Sequence, residues 1–112
     1  MKVKTQNYND VTVVTLQGEL DSDSAEMFRN TIIDIISKRK TGGIVLDMRG
    51  VGFIDSEGLE QLLWAGDHCS ENTCELRLAG LDENCAKILE ITRLENEFNC
   101  YTELAQAVKS FA

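Results

Sequence analysis

Residues 44–48 read Ile-Val-Leu-Asp-Met, an apolar run of strand length interrupted by one carboxylate, with Gly42-Gly43 before it and Arg49-Gly50 after it. A strand that does not alternate polar with apolar must be covered on both faces, which calls for helices on each side of a sheet. This run is therefore the expected central strand, and the rest of the chain is placed around it.

Upstream, Val3 to Gln6 alternates weakly and Asn7-Tyr8-Asn9-Asp10 supplies turn-forming side chains. Val11 to Leu16 is rich in β-branched residues and ends at Gly18, so the first two strands are expected to pair antiparallel. After Glu19-Leu20-Asp21 the period changes. Ser22, Asp23 and Ser24 offer N-caps, Asp23 with Glu26 fits a capping box, and Phe28, Ile32, Ile35 and Ile36 share one helical face, predicting a helix to about Lys40.

Downstream of the central strand, Asp55-Ser56 opens a second helix with Leu59, Leu62, Leu63, Gly66 and Cys69 on one face. Glu75–Ala79 alternates as a strand and Gly80 ends it. Asp82 caps a third helix carrying Ala86, Ile88, Leu89 and Ile91; Phe98 and Cys100 suggest a short last strand; Thr102 caps a terminal helix through Leu104, Val108 and Phe111. The order ββαβαβαβα predicts a single α/β domain over residues 1–112, with a mixed, mainly parallel sheet, about four helices and right-handed crossovers. In such sheets the loops at the carboxyl ends of the strands gather at one edge, where sites form. Asp21 and Asp55-Ser56-Glu57 fall on that edge.

Composition excludes several classes of function. With Lys+Arg 11 against Asp+Glu 19 and a net charge of -8, the long-range field has the wrong sign for nucleic acid or an anionic membrane surface. Cys69, Cys74, Cys85 and Cys100 form no C-x-x-C pair, so no zinc site is expected and most read as small core residues with reduced thiols. The opening MKVKTQ has no apolar leader and no apolar run approaches membrane-span length, which predicts a cytoplasmic protein and not the tail of a transporter.

Asp21, Asp47, Asp55 and Glu57 are the carboxylates nearest the edge, and such a cluster can hold Mg²⁺ or divide into acid and base. A carboxylate-dependent enzyme is thus one alternative. Against it, a phosphoacceptor site of the response-regulator type would need an acidic pair after the first strand and a late lysine, and the sole histidine, His68, lies about three helical turns beyond Ser56. Gly50-x-Gly52 lacks the third glycine and the lysine of a phosphate loop. No cofactor, metal or catalytic residue is expected. Arg49 is placed to neutralise either Asp47 or Asp55, and Leu62, Leu63 and Trp64 read as core or core-edge.

Asp55 or Ser56 can cap the second helix, with Glu57 favourable in its first turn. Gly58 fits this less well, because glycine inside a helix costs about 1 kcal/mol relative to alanine. The reading it suggests is a helix start left open to close approach by a partner's backbone or a kinase.

Gly18-Glu19-Leu20-Asp21 followed by the helix of Ala25, the strand Ile44-Val45-Leu46-Asp47, and Phe53-Ile54-Asp55-Ser56-x-Gly58-Leu59 together resemble the STAS domain, from about Val11 to Phe111. That family includes bacterial anti-sigma-factor antagonists and sulphate-transporter cytosolic domains. The resemblance implies a non-catalytic regulatory binding module. Its partner would be an anti-sigma factor or serine kinase of ATPase-type fold, captured by the unphosphorylated antagonist and released after phosphorylation. The implied partner-binding residues are Asp21, Asp55, Ser56, Glu57, Gly58, Leu59 and Glu60. In the family the phosphorylated hydroxyl directly precedes the glycine, and a phosphate there adds about -1.5 to -2 of charge. This chain has Glu57 at that position.

Three readings follow from the departure. Ser56 serves as acceptor one residue early, although one step around a helix turns a side chain by about 100°. Alternatively Glu57 is a fixed phosphomimic. In the third reading the domain is a structural or adaptor subunit of a signalling or lipid-transport complex without a sigma factor. The sequence leaves oligomeric state open.

Overall fold

The computed structural model describes residues 1–39 and 41–111. The elements run β1 (Lys2–Tyr8), β2 (Val11–Gln17), α1 (Ala25–Arg39), β3 (Gly43–Gly50), α2 (Ser56–Glu71), β4 (Glu75–Ala79), α3 (Glu83–Ile91), β5 (Asn99–Tyr101) and α4 (Leu104–Lys109). The five strands lie in sequence order, so β3 is central as expected. β1 and β2 pair antiparallel through a two-residue turn in which Asn9 takes φ +56°, a left-handed conformation that asparagine tolerates. Every later pairing is parallel. The predicted helix end at Lys40 lies outside the described residues.

Both faces of β3 are covered. Ile44, Val45 and Leu46 are all 0% exposed, which a one-sided sheet would not allow. One face carries Val14, Leu16, Ile44, Leu46, Met48 and Leu78 against Phe28 and Ile32 of α1, Leu62 and Ala65 of α2 and Leu89 of α3. The other carries Val11, Val13, Val45 and Ala79 against Ala107, with Leu104, Val108 and Phe111 alongside. Three long helices thus oppose one short one. Among the described residues no helix is long and apolar enough to cross a membrane.

Several local expectations are corrected. The Asp23–Glu26 capping box does not form; Asp21 bonds the turn before α1 instead, so the chain is already constrained two residues earlier. The buried stripe of α2 is Gly58, Gln61, Leu62, Ala65 and Cys69, rotated from the predicted face, with Leu63 and Gly66 only part-buried. Ile91 is 69% exposed because Cys85 and Leu89 carry the burial of α3. Thr102 does not cap α4: it precedes the cap position, Glu103, and its hydroxyl bonds the Gln106 side chain. All four cysteines are free, with Cys69, Cys74 and Cys85 buried and Cys100 exposed. Burial pushes the Cys85 thiol up to about 12, and it donates to the Val51 carbonyl at 3.3 Å, so it remains a protonated core group.

Candidate functional site

The edge at the carboxyl ends of β2 and β3 is built from backbone. Gly18, with φ +120°, turns the chain out of β2 and donates to the Gly50 carbonyl at 3.0 Å. Leu20 N then donates to the Phe53 carbonyl at 3.0 Å, and Asp55 N donates to the Leu20 carbonyl at 3.2 Å. These bonds form an isolated parallel bridge between Leu20 and Ile54, both buried, which ties the approach to α1 to the approach to α2.

On this frame each helix start is closed by an aspartate. Asp21 Oδ1 accepts from Asp23 N at 3.0 Å and Ser24 N at 3.1 Å, while the Ser24 hydroxyl donates to the Glu19 carbonyl at 3.0 Å. Asp55 is the N-cap of α2, its extended backbone at φ -95° and ψ -173° letting Oδ1 accept from Gly58 N at 2.9 Å. Both aspartates are part-buried and fixed by these bonds.

Gly58 is buried against the same seam. A Cβ at this position would overlap the Leu20 carbonyl oxygen and come within 2.9 Å of Ile54 Cγ2. The close approach that the glycine permits is therefore made by the chain's own Leu20 carbonyl, not by an incoming partner. Gly58 offers no surface itself; it positions the residues beside it.

Those neighbours face outward. Ser56, Glu57 and Glu60 are exposed and Leu59 is part-buried against the core. Glu57 stands in the first turn of a 16-residue helix, where the partial positive charge of the helix start favours a carboxylate. Phe53, 44% exposed, adds an aromatic surface two residues before the cap. It was absent from the sequence-derived site residues, although one signal was present: if Ile54 points inward, its neighbour Phe53 points out. Asn84 at the start of α3 reaches the same loop, donating to the Gly52 carbonyl at 2.9 Å.

Other candidates lie elsewhere. Asp47, 2% exposed, shares the strand parity of Val45 and so faces α4, away from Asp55. Arg49 chooses Asp47: its Nε donates to Oδ1 at 2.9 Å and its Nη2 to Oδ2 at 2.8 Å. These bonds hold the Asp47 carboxyl below the ordinary carboxylate range despite the opposing effect of burial. His68 stacks on Trp64, ring centroids 5.0 Å apart, and Arg29 lies over the same indole at 4.8 Å while bonding Gln61. Among the described residues no group of three or more His, Cys, Asp or Glu side chains could hold a metal ion. The edge thus presents an exposed hydroxyl, carboxylates and an aromatic ring on an immobilised helix start, an arrangement suited to docking.

Comparison with known proteins agrees with this frame. A family model described as "STAS domain" matches residues 2–107. The anti-sigma F factor antagonist of Paenibacillus polymyxa is 26% identical over 111 residues, covering 93% of this chain and 95% of that protein. An anti-sigma factor antagonist from Mycobacterium paratuberculosis has the same fold, with a TM-score of 0.86 at 21% identity over 97% of this chain and 92% of that one. The antagonist SpoIIAA in its unphosphorylated form gives 0.82 at 18% identity over 98% and 96%. The phosphorylated form of Bacillus SpoIIAA gives 0.75 at 18% identity over 99% and 100%.

Proposed function

Because the chain belongs to the STAS domain family, we propose that it is a non-catalytic, cytoplasmic binding module that acts like an anti-sigma-factor antagonist, docking a kinase-fold anti-sigma factor at its carboxyl edge with Glu57 as a fixed negative charge. The observation that carries this reading is the placement of Glu57: exposed, in the first turn of α2, and directly before the buried Gly58. Asp21, Asp55, Ser56, Leu59 and Glu60 share the docking edge with it, and Phe53 supplies the apolar contact that a charged patch alone lacks. A carboxylate carries about half the charge of a phosphate, so Glu57 sets the affinity at an intermediate level and removes the usual switch.

The exposed Ser56 hydroxyl supports a second reading, in which the acceptor has moved by one residue. The two are separable. A kinase-fold partner recovered with the native protein is titrated calorimetrically against wild type, Glu57→Ala and Glu57→Ser. Tightening of about tenfold in both variants is expected, about 1.4 kcal/mol. Unchanged affinity removes the phosphomimic. Intact-mass analysis after incubation with that partner and ATP is expected to show unmodified protein, and a stoichiometric phosphate mapped to Ser56 would establish the second reading. Recovery of a complex containing no kinase-fold protein would favour an adaptor role.

A further inference from the structure

The turn that ends α2 brings two thiols together. The Cys74 amide donates to the Cys69 carbonyl at 2.8 Å and the Thr73 amide to the Ser70 carbonyl at 3.4 Å, the pair of bonds that closes a helix when the residue after its cap turns left-handed. That residue is Thr73, at φ +55°, an unfavourable conformation for a β-branched side chain. In this kind of turn the side chains of the two residues joined by the wider loop pack together, and here both end in sulphur. The 2.8 Å bond also limits their Cα separation to about 6.7 Å, inside the roughly 4.4–6.8 Å that a disulfide spans.

The other two cysteines are remote from this pair. Cys85 bonds the Val51 carbonyl beyond the end of β3, whereas Cys74 directly precedes Glu75, the partner of Gly43 at the start of that strand, about 23 Å away along it. Cys100 pairs with Leu78, about 13 Å along β4 from Cys74.

Cys69 is 0% exposed and Cys74 5%, but Cys74 lines a surface hollow of about 250 Å³. The charged side chains around this hollow are Asp67, Glu75 and Glu97, a lining that admits a small neutral oxidant and repels an anionic one. The Cys69 thiol donates to the Cys74 sulphur and holds Cys74 below the ordinary thiol range, against burial and the carboxylates of Asp10 and Glu75. The same bond, together with burial, keeps Cys69 protonated.

We propose that Cys69 and Cys74 are a reversible oxidative modification site, at which hydrogen peroxide converts the two thiols to an intramolecular disulfide across the end of α2. The Cys74 thiolate attacks one peroxide oxygen and the O–O bond breaks, leaving a sulfenic acid on Cys74 and a hydroxide that takes a proton from solvent to become water. The Cys69 sulphur then displaces the sulfenic hydroxyl, which leaves as a second water with the Cys69 proton. The two sulphurs together lose two electrons and the peroxide gains them. The new bond fastens α2 to the start of β4, about 18 Å along the helix from Glu57, and adds neither charge nor bulk to the docking edge.

The test uses the full chain, reduced, treated with hydrogen peroxide, blocked with iodoacetamide and digested after glutamate. Cleavage after Glu71 separates the two cysteines, so the expected product is two peptides that stay joined until dithiothreitol is added and together weigh about 2 Da less than their thiol forms. The urea midpoint of the oxidised protein is expected to rise and to return with dithiothreitol. Cys69→Ser should stop the reaction at a Cys74 sulfenic acid that dimedone traps, and Cys74→Ser should give neither linked peptides nor trapping, each variant first shown to unfold cooperatively. Oxidation confined to Cys100, linkage of Cys74 to any cysteine but Cys69, or linked peptides formed only when peroxide is added in urea would each overturn the proposal. Dimedone on Cys69 in the Cys74→Ser variant would overturn the assignment of Cys74 as the attacking sulphur, and an unchanged urea midpoint would overturn the fastening of α2 to β4.

Discussion

Two regions secure the end of β3 by different means. At the carboxyl edge the Leu20 carbonyl, the Ile54 bridge and the bare Gly58 backbone meet, so closely that an added Cβ would overlap the Leu20 carbonyl oxygen and crowd Ile54 Cγ2. On the opposite face Asp47 and Arg49 close the strand end through side chains, with the Thr15 hydroxyl 3.5 Å from Asp47 Oδ2 and the Arg49 stem against Gly80. Contacts between backbones leave no spare volume, whereas contacts between side chains can be shortened, exchanged or hydrated. The first region should therefore respond to substitution as a matter of fit and the second as a matter of charge.

The sharpest way to break this contrast is Gly58→Ala. One added methyl must displace the Leu20 carbonyl, and a loss of about 2–3 kcal/mol is expected as a lower urea midpoint with unchanged slope. A near-neutral outcome would mean that the seam yields. Asp47→Ala is expected to cost about 1–2 kcal/mol, below the range for a fully buried pair because the Arg49 side chain is 65% exposed and can rehydrate. The same group has a signature in acid. Its folded carboxyl lies below the ordinary range, so its contribution is complete above the unfolded value and fades as pH falls toward and through the folded one. Asp47→Asn should flatten that part of the acid-unfolding curve, and an unaltered curve would assign the acid sensitivity elsewhere.

Smaller effects refine the comparison within α2. Asp55→Ala removes the bond to Gly58 N and should cost about 1 kcal/mol in the same urea measurement. Gly66→Ala should stabilise by about 0.5–1 kcal/mol, since the nearest atom to an added Cβ is Leu76 Cδ2 at 4.0 Å. Two glycines on one helix would then have opposite signs, for the reason that separates the two regions.

Much of this was legible in the sequence. The largely apolar run at 44–48, the β-branched return strand and the spacing of helical faces lead to the observed order of elements, and the cap of α2 narrows to Asp55 or Ser56, of which the structure uses Asp55. What escaped depends on contacts made only in three dimensions. The cause of Gly58 is a carbonyl from Leu20, 38 residues earlier by subtraction of their numbers, brought near by a bridge that spacing along the chain does not reveal. Arg49 chose between two carboxylates according to strand parity. Asp21 displaced the Asp23–Glu26 box because its own turn already satisfied the amides at 23 and 24. Phe53 and Ile91 show the same limit from the other direction, as apolar residues whose exposure follows from which neighbours take the interior.

The Leu20–Gly58 seam also bears on how such a domain can diverge. Its bonds run between main-chain atoms, and apart from the glycine they do not specify which residues surround them. The outward positions at 53, 56, 57 and 60 can therefore be rewritten while the platform beneath them keeps its shape. An ancestral recognition surface could acquire a new vocabulary of charges, or lose a modifiable hydroxyl, in single steps that leave the scaffold intact.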